Sequence, residues 1–512
     1  MSQSPEVIVI GAGTAGSIVA RRLVDAGTRV LLLEAGGEDT SPAIHDPARL
    51  AELWHSPNDW DYFTVPQAGA NGRRLHLPRG KVLGGSHALN AMIWVRGTAW
   101  DYDGWRDLGA EGWGWDDVLP VLKGIEHLHG HPAPDRGTDG LLHVQPNEPL
   151  HPIQQSILDA AVASGIPLNA DYNSGEPDGV SVQQVTIRDG RRVSTWMAYA
   201  EPIVGTPLFS VRTGAWVHRI LFSGGRATGV EVEVDGGLEQ IHADAVVLCA
   251  GALDSPRILL RSGIGPADDL WALDIEVRLD LPGVGGNLHD HLLSPVIFAT
   301  DHREVEPPTV GRSVTQTHLF WRSRPGLEVP DTQPINFSVP MYEPWMTGPD
   351  SGFSLMAGMI TPKSRGRLRL GGSDPHAPLL IDLQALAERD DVESLMASVR
   401  QCRQIGAASP LADEWGAREL YPGPDVQDDA ALEAYVRDTA ITYHHQVGTC
   451  RMGTDADSVV DPRLAVHGFD GVWVADAAVM PRVPTGNTNA PSAVIGERAA
   501  AFLLARALVG SR

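Results

Sequence analysis

The first residues constrain this chain more than any other stretch. Val7-Ile-Val-Ile10 is a short apolar run suited to a buried parallel strand, and Gly11-Ala-Gly13-Thr-Ala-Gly16 follows at once. Residues Ser17 to Asp25 then read as a helix, and Arg29 to Leu33 as a second buried strand ending at Glu34. Strand, glycine turn, helix, strand and acid in this order form a βαβ dinucleotide fingerprint. Gly11 permits the tight turn, Gly13 lets a pyrophosphate approach the backbone, and Gly16 allows the helix to pack on the strand. The helix N-terminus offers free N–H groups and partial positive charge to phosphates. Glu34 would accept hydrogen bonds from a ribose and repel a 2′-phosphate, so FAD or NAD suits the site better than NADP.

A chain of 512 residues, 43% of them hydrophobic, can bury a large core and suggests two or more domains or one elaborate one. The formal charge of −24 argues against non-specific nucleic-acid binding and against docking on anionic membranes. Lysine occurs only at Lys81, Lys123 and Lys363, which leaves little room for Schiff-base chemistry. Cys249, Cys402 and Cys450 make neither a disulfide framework nor a spaced metal site. No charged-then-apolar leader precedes the first strand, and no apolar run approaches a membrane span. A soluble cytoplasmic protein, monomeric or homodimeric, is expected.

Further along, Arg79-Gly-Lys-Val-Leu-Gly84-Gly85-Ser86-His87-Ala-Leu-Asn90 is a glycine-rich loop leading into the apolar residues Ala91 to Val95. Trp94, Trp100, Trp105, Trp113 and Trp115 read as packing residues. The His-, Gly- and Pro-rich residues Ile125 to Gly140 read as an exposed excursion. Within it, His127, His129 and His131 are spaced for one face of an extended strand, but no Cys or carboxylate cluster supports a metal site. Phe209 to Val211, Arg219 to Phe222 and Gly229 to Val234 alternate like antiparallel strands. A buried-strand pattern returns from Ala243 to Gly251, followed by helix from Ser255 to Arg261. Strand-like runs fill Gln333 to Val339, Phe353 to Ile360 and Arg367 to Leu370, and helices are expected over Asp391 to Ile405 and Asp429 to Asp438. A last buried strand spans Phe469 to Ala475, and a closing helix Ala490 to Leu508. The nucleotide-type segments are thus interrupted by a β-rich block and resume at the end, which points to two interleaved domains.

Two loops near the C-terminus carry the chemistry. Tyr443-His444-His445-Gln446-Val-Gly-Thr-Cys450 and Pro484-Thr-Gly-Asn487-Thr488-Asn-Ala-Pro491 place a histidine and an asparagine among turn residues. A histidine takes a proton near neutral pH, and an asparagine can hold the oxygen that loses it. No Gly-x-Ser-x-Gly elbow suggests a hydrolase, and no second Gly-x-Gly-x-x-Gly suggests an added nicotinamide site.

With the fingerprint, the 80–90 loop and the His/Asn pair, two more motifs complete a set: Gly251-Ala-Leu-Asp-Ser-Pro-Arg-Ile-Leu-Leu-Arg-Ser-Gly-Ile-Gly265 and Val284-Gly-Gly-Asn-Leu-His-Asp-His291. Spanning almost the whole chain, the five resemble the glucose–methanol–choline oxidoreductase family, flavoproteins that oxidise alcohols using FAD. The resemblance implies an α/β protein, α+β overall. A Rossmann-like FAD domain (residues 1–150, 190–292 and 425–512) would interleave with a substrate domain (151–189 and 293–424) built on an antiparallel sheet backed by helices.

By resemblance, the cofactor should meet Gly11, Gly13, Thr14, Ala15 and Gly16 at the fingerprint, Glu34 and Ala35 beyond the second strand, and Val217 at the adenine. Arg79, Val82, Gly84, Gly85, Ser86, Asn90, Ala91 and Met92 would surround the flavin loop. Ala250, Gly251, Asp476, Ala477, Asn487 and Thr488 complete the expected set. The small side chains of Gly84, Gly85 and Ser86 would let backbone N–H groups approach a reduced, negatively charged ring. His445 would take the hydroxyl proton of an alcohol while hydride leaves for flavin N5, and Asn487 would hold the same oxygen. O2, giving H2O2, or another acceptor would re-oxidise the flavin. His289 and His291 are read as mainly structural.

The chain departs from the family pattern beside the base. Gln446 replaces the usual proline, His444 stands where members acting on aryl alcohols often carry an aromatic, and Ala91 is small where some have an aromatic. His444, Gln446 and Ala91 are therefore expected to touch substrate. Covalent members tether FAD at the position of Leu89, so non-covalent FAD is expected, with His87 a packed polar residue. A primary alcohol of aryl, furan or heteroaromatic type is the first reading of the substrate. The alternative, favoured by the polar His444 and Gln446, is a polyol, amino-alcohol or aminoglycoside-like alcohol. A hydroxynitrile lyase with a silent flavin comes third.

Overall fold

The computed structural model describes residues 4–130 and 133–510. The strand Val7–Ile10 is buried throughout and pairs in parallel with Val30–Leu33 on one side and Ala245–Leu248 on the other. Parallel neighbours need a crossover. The helix Thr14–Asp25 provides it, beginning at the fingerprint itself, ahead of the Ser17 start read from sequence. Phe209–Arg212 and Val472–Val474 form the two edges of this five-stranded sheet, and both are parallel to their neighbours. Because every strand points the same way, the loops after Ile10, Leu33, Leu248 and Val474 gather along one edge, where an open α/β sheet binds its ligands.

The edge strand corrects one expectation. Phe209 to Val211 alternates as an antiparallel strand does, yet it runs parallel to Val30–Leu33. Alternation reports one covered face and says nothing of strand direction. Its successors Ala215–Ser223 and Arg226–Val234 are antiparallel as expected, and Gly237–His242 joins them as a third strand.

A second, wider sheet is antiparallel throughout. Its order is Ala417–Tyr421, Leu292–Thr300, Gly352–Met359, Ile335–Phe337, Thr315–Phe320 and Gly179–Val182, with Ile441–Thr442 paired to the start of Leu292–Thr300. The helix Arg389–Gly406 packs on one face, where Leu355 and Ala357 join the main core with Leu395 and Val399. Leu293, Ile335, Phe337 and Met356 belong to the opposite face and wall a cavity. Among the described residues no helix is long and apolar enough to cross a membrane.

Trp94, Trp105 and Trp113 are fully buried, while Trp100 and Trp115 are half-buried beneath the guanidinium groups of Arg482 and Arg96. The excursion expected from Ile125 to Gly140 is anchored in the interior instead. Glu126 is enclosed and accepts hydrogen bonds from Arg136 Nε (2.8 Å) and Nη2 (2.9 Å), Gly137 N (2.9 Å) and Trp94 Nε1 (3.1 Å), with Arg96 3.8 Å away. A buried ion cluster carries no hydrophobic periodicity, so the sequence pattern does not reveal it. His127 and His129 stack at 4.4 Å, whereas His131 lies outside the described residues.

Glu126→Ala would strip the buried Arg136 Nε and Nη2 of their acceptor and leave the nearby Arg96 without its counter-charge. Loss of one member of such a cluster costs about 3–5 kcal/mol, to be read as a lowered urea midpoint against the parent chain.

Candidate active site

A single long cavity runs from the edge of the parallel sheet to the open face of the antiparallel one. At its outer end stand Glu34, Ala35, Trp216 and Val217, and in its middle Gly11, Gly13, Thr14, Ala15, Ala250, Gly251, Asp476 and Ala477. No side chain caps the helix that starts at Thr14, so its first N–H groups face the cavity without a protein acceptor from a capping residue. Glu34 accepts Ala12 N (2.9 Å) and Gly36 N (2.8 Å), and burial pushes its carboxyl up to about 7 against those bonds. Asp476 ties two loops together, accepting from Gly251 N (2.9 Å), Ser255 Oγ (2.5 Å) and Ala478 N (2.8 Å).

The glycine-rich loop forms the next stretch of wall. Gly85 has φ +53°, and a Cβ there would lie 2.7 Å from Gly13 Cα. The two loops therefore touch backbone to backbone, and only glycine fits the contact. Asn90 holds the loop: its Oδ1 accepts Met92 N and Arg192 Nη1, each at 2.9 Å. His87 is buried, bonded to Thr186 Oγ1 at 3.0 Å and to Thr195 N at 3.2 Å, and burial lowers its pKa to about 3. It lines the cavity but both ring nitrogens are engaged.

The inner end brings His445 and Asn487 together. Asn487 Nδ2 lies 3.2 Å from His445 Nε2, and Asn487 Oδ1 accepts Gln333 Nε2 at 3.1 Å. An amide N–H facing Nε2 requires a bare nitrogen there, so the ring proton sits on Nδ1. His445 Nδ1 is 3.0 Å from His291 Nδ1 and donates to it. His291 carries its own proton on Nε2, beside the carbonyls of Pro484 and Ile360, though neither makes a short, directed bond. Burial is the main reason that the His445 pKa falls well below 6.5, with His291, His444 and Arg79 adding to the effect. The result is a neutral, oriented imidazole whose bare Nε2 faces the cavity.

Backbone geometry fixes that ring. Residues 289–291 run antiparallel to 443–447: Tyr443 N donates to His291 O (2.9 Å) and Val447 N to His289 O (3.1 Å). Asp290 accepts His445 N at 2.7 Å and the Gln446 side-chain amide, and burial pushes its carboxyl up to about 7. Tyr443 stacks on the His445 ring at 4.7 Å.

Family models described as GMC oxidoreductase match residues 6–293 and 362–496. An uncharacterised GMC-type oxidoreductase of Mycobacterium tuberculosis is 39% identical over 98% of this chain and 99% of its own. The chain belongs to the GMC oxidoreductase family. An oxygen-dependent choline dehydrogenase of Rhizobium johnstonii is 37% identical over 98% of this chain and 96% of its own. The crystal structure of pyridoxine 4-oxidase from Mesorbium loti superposes with a TM-score of 0.93 at 35% identity, covering 97% of this chain and 99% of that one. GMC oxidoreductases bind FAD, and this chain is an FAD-dependent enzyme of that family. The cavity suits the cofactor: uncapped helix N–H groups, the Gly13–Gly85 contact and the buried Glu34 all lie along one continuous wall.

Most residues singled out in the sequence meet at this cavity, including Arg79, Ser86, Ala91, His444, Gln446 and Thr488. Gly16, Val82, Gly84 and Met92 stand behind its wall. Gly16 packs the helix on the turn, since a Cβ there would lie 1.9 Å from Gly11 O. Val82 and Met92 are buried in small apolar clusters, and Gly84 faces Ser194 and Ala88. The structure also separates two neighbouring asparagines, because Asn489 is bonded to Thr14 Oγ1 at 2.6 Å while Asn487 faces the base. His291, read from sequence as structural, bonds His445 directly. Gln333 went unnoticed, and no local motif marks it, because only sheet pairing brings it beside Asn487.

Gly85→Ala would force the Gly13 contact apart at a positive φ. The variant should purify with markedly less flavin per chain, read from the ratio of flavin to protein absorbance.

Proposed function

We propose that this GMC oxidoreductase oxidises a primary alcohol carrying an aryl, furan or heteroaromatic group to the aldehyde, with O2 (giving H2O2) or another acceptor taking up the electrons. The observation that carries this reading is the inner end of the cavity. Ile93, Leu293, Ile335, Phe337, Met341, Met356, Ile441 and Tyr443 wall it. Among the described lining residues the carboxylates are Glu34, Asp254 and Asp476, all at the sheet edge or beside it. An apolar, ring-lined chamber stabilises a flat apolar substrate, whereas a polyol buried there would leave hydroxyl groups unpaired.

The polar residues flanking the base do not reverse this. His444 Nδ1 bonds Thr442 Oγ1 at 2.8 Å, its ring meets the edge of Trp54, and its pKa is pushed down to about 3 by burial. The Gln446 side-chain N–H is committed to Asp290, and its Oε1 is enclosed. Neither offers a free charge to an amino-alcohol. The name of the similar pyridoxine 4-oxidase agrees with a heteroaromatic alcohol.

In this mechanism His445 Nε2 takes the hydroxyl proton, and Asn487 Nδ2 donates to the same oxygen and orients its lone pairs. Gln333 fixes the Asn487 amide from behind. As His445 gains charge, its Nδ1–H stays bonded to His291, so no donor is stranded. Bound FAD supplies the acceptor for the hydride that leaves the alcohol carbon. The cofactor would rest between Glu34, the helix N-terminus, residues 79–92 and the Asp476 loop, held without a covalent tether because Leu89 has no nucleophile. Residues 1–150, 190–292 and 425–512 would form the FAD domain, with 151–189 and 293–424 the substrate domain. Strand membership in the two sheets supports that division, except that Ile441–Thr442 pairs into the antiparallel sheet.

An anaerobic panel of alcohols watched by flavin absorbance tests the reading. Aryl, furan and pyridine methanols should bleach the flavin fastest; faster bleaching by choline or a sugar alcohol would overturn the substrate class, and no bleaching by any alcohol would overturn the reaction. His445→Ala should keep its FAD yet reduce it about 10²–10⁴-fold more slowly. A base held neutral by burial loses activity only when pH falls below its depressed pKa. The reductive rate should therefore stay level from neutral pH down past 6.5. An acid limb near 7 would instead assign control to Asp290.

A further inference from the structure

Among the described residues outside the active site, two groups of side chains bring histidine nitrogens and carboxylate oxygens together: His55, Asp61 and His76, and His218, Glu233 and His376. They differ in how the rings approach. His55 and His76 stack face to face at 3.9 Å with planes 23° apart, and although both reach Asp61 Oδ1, at 2.6 and 3.1 Å, His76 Nε2 is shared with Asp59 at 3.2 Å. His218 and His376 stand at 86° with centroids 5.8 Å apart, and both Nε2 atoms lie 3.0 Å from the same oxygen, Glu233 Oε2. Perpendicular rings converging on one point are what a chelating pair presents.

The backbone prepares this convergence. His218 sits at a β-bulge, where the register between Ala215–Ser223 and Arg226–Val234 shifts between Val217 and Arg219. A bulge re-aims the side chain it carries, and His218 is turned toward Glu233 on the neighbouring strand. His376 comes from the loop between Arg367–Leu370 and Leu379–Asp382. That loop is seated by Arg261, whose guanidinium donates to Ser373 O at 3.0 and 3.1 Å. Trp216 meets both rings edge-on, at 4.5 Å for His376 and 5.9 Å for His218. Hydrogen bonding accounts for one arm only, between His376 Nε2 and Glu233 Oε2 at 3.0 Å. His218 Nε2 is enclosed and makes no directed hydrogen bond, although Glu233 Oε2 is close.

We propose that His218 Nε2, Glu233 Oε2 and His376 Nε2 form a site for a divalent transition cation of the zinc class, with water completing the shell. Two imidazoles and one carboxylate are a donor set that such ions take, and metal–ligand bonds of about 2.0–2.2 Å would separate neighbouring donors by roughly 3.3 Å. The contacts need open only slightly, and the exposed His376 loop can supply the movement. An ion here pins the 371–378 loop to the strand that carries Trp216, which lines the outer end of the main cavity. The site is structural and separate from His445.

Zinc titration of the FAD-loaded enzyme by calorimetry, after chelator treatment and dialysis, tests the proposal. One saturable site per chain is expected, and zinc should raise the melting temperature. His376→Ala, an exposed loop change, and Glu233→Gln should each weaken binding at least tenfold and abolish the melting shift, with flavin content unchanged. The proposal is overturned if no saturable heat appears, or if both variants bind as the parent does. It is equally overturned if His55→Ala removes the site while His376→Ala leaves it.

Discussion

A base buried in an apolar chamber must be kept neutral and must be aimed, and burial alone does only the first. The hydrogen bond between His291 and His445 does the second, joining residues 154 positions apart. His291 leads into the strand Leu292–Thr300, and His445 follows Ile441–Thr442, which pairs with that strand. The antiparallel sheet therefore sets where the base stands. Asn487 arrives from the other layer, just ahead of the helix Asn489–Gly510, which packs against the fingerprint helix. The His445–Asn487 pair thus sits at the seam between the two sheets, and the register of each decides whether the two can meet.

Burial supplies the energetic logic of the seam. It lowers the pKa values of His445, His444 and His291 and raises that of Asp290 to about 7, so the site strongly disfavours every charge not matched by a partner. Arg79 is the cation that remains nearby, held by its bond to His444 O at 2.5 Å. On the proposed mechanism a site so arranged favours a neutral alcohol, and the Nδ1–H of His445 stays bonded to His291 as the ring takes the proton.

Much of this was legible in the sequence because it depends on local rules. The fingerprint announces its strand, turn and helix through glycine spacing, and the His445 and Asn487 loops through their turn residues. What escaped depends on contacts between distant segments. Gln333 has no motif, and only strand pairing brings it to Asn487. Glu126 lies in a stretch that composition marks as exposed, yet its partners Arg96 and Arg136 bury it. Gln446 and His444 are polar letters that suggested a polar pocket, but their hydrogen bonds to Asp290 and Thr442 turn that polarity away from the substrate. Residue type shows what a side chain can do; its partners determine what it has left to offer.

In the proposed mechanism His445 presents a bare Nε2 to the alcohol while its Nδ1–H is held by His291. Nitrogen NMR of enzyme labelled with ¹⁵N-histidine, with the His445 signals assigned by their loss in His445→Asn, reads this directly. At neutral pH one protonated and one unprotonated nitrogen are expected, the unprotonated one being Nε2. A doubly protonated ring, or a proton on Nε2 with Nδ1 bare, would contradict it.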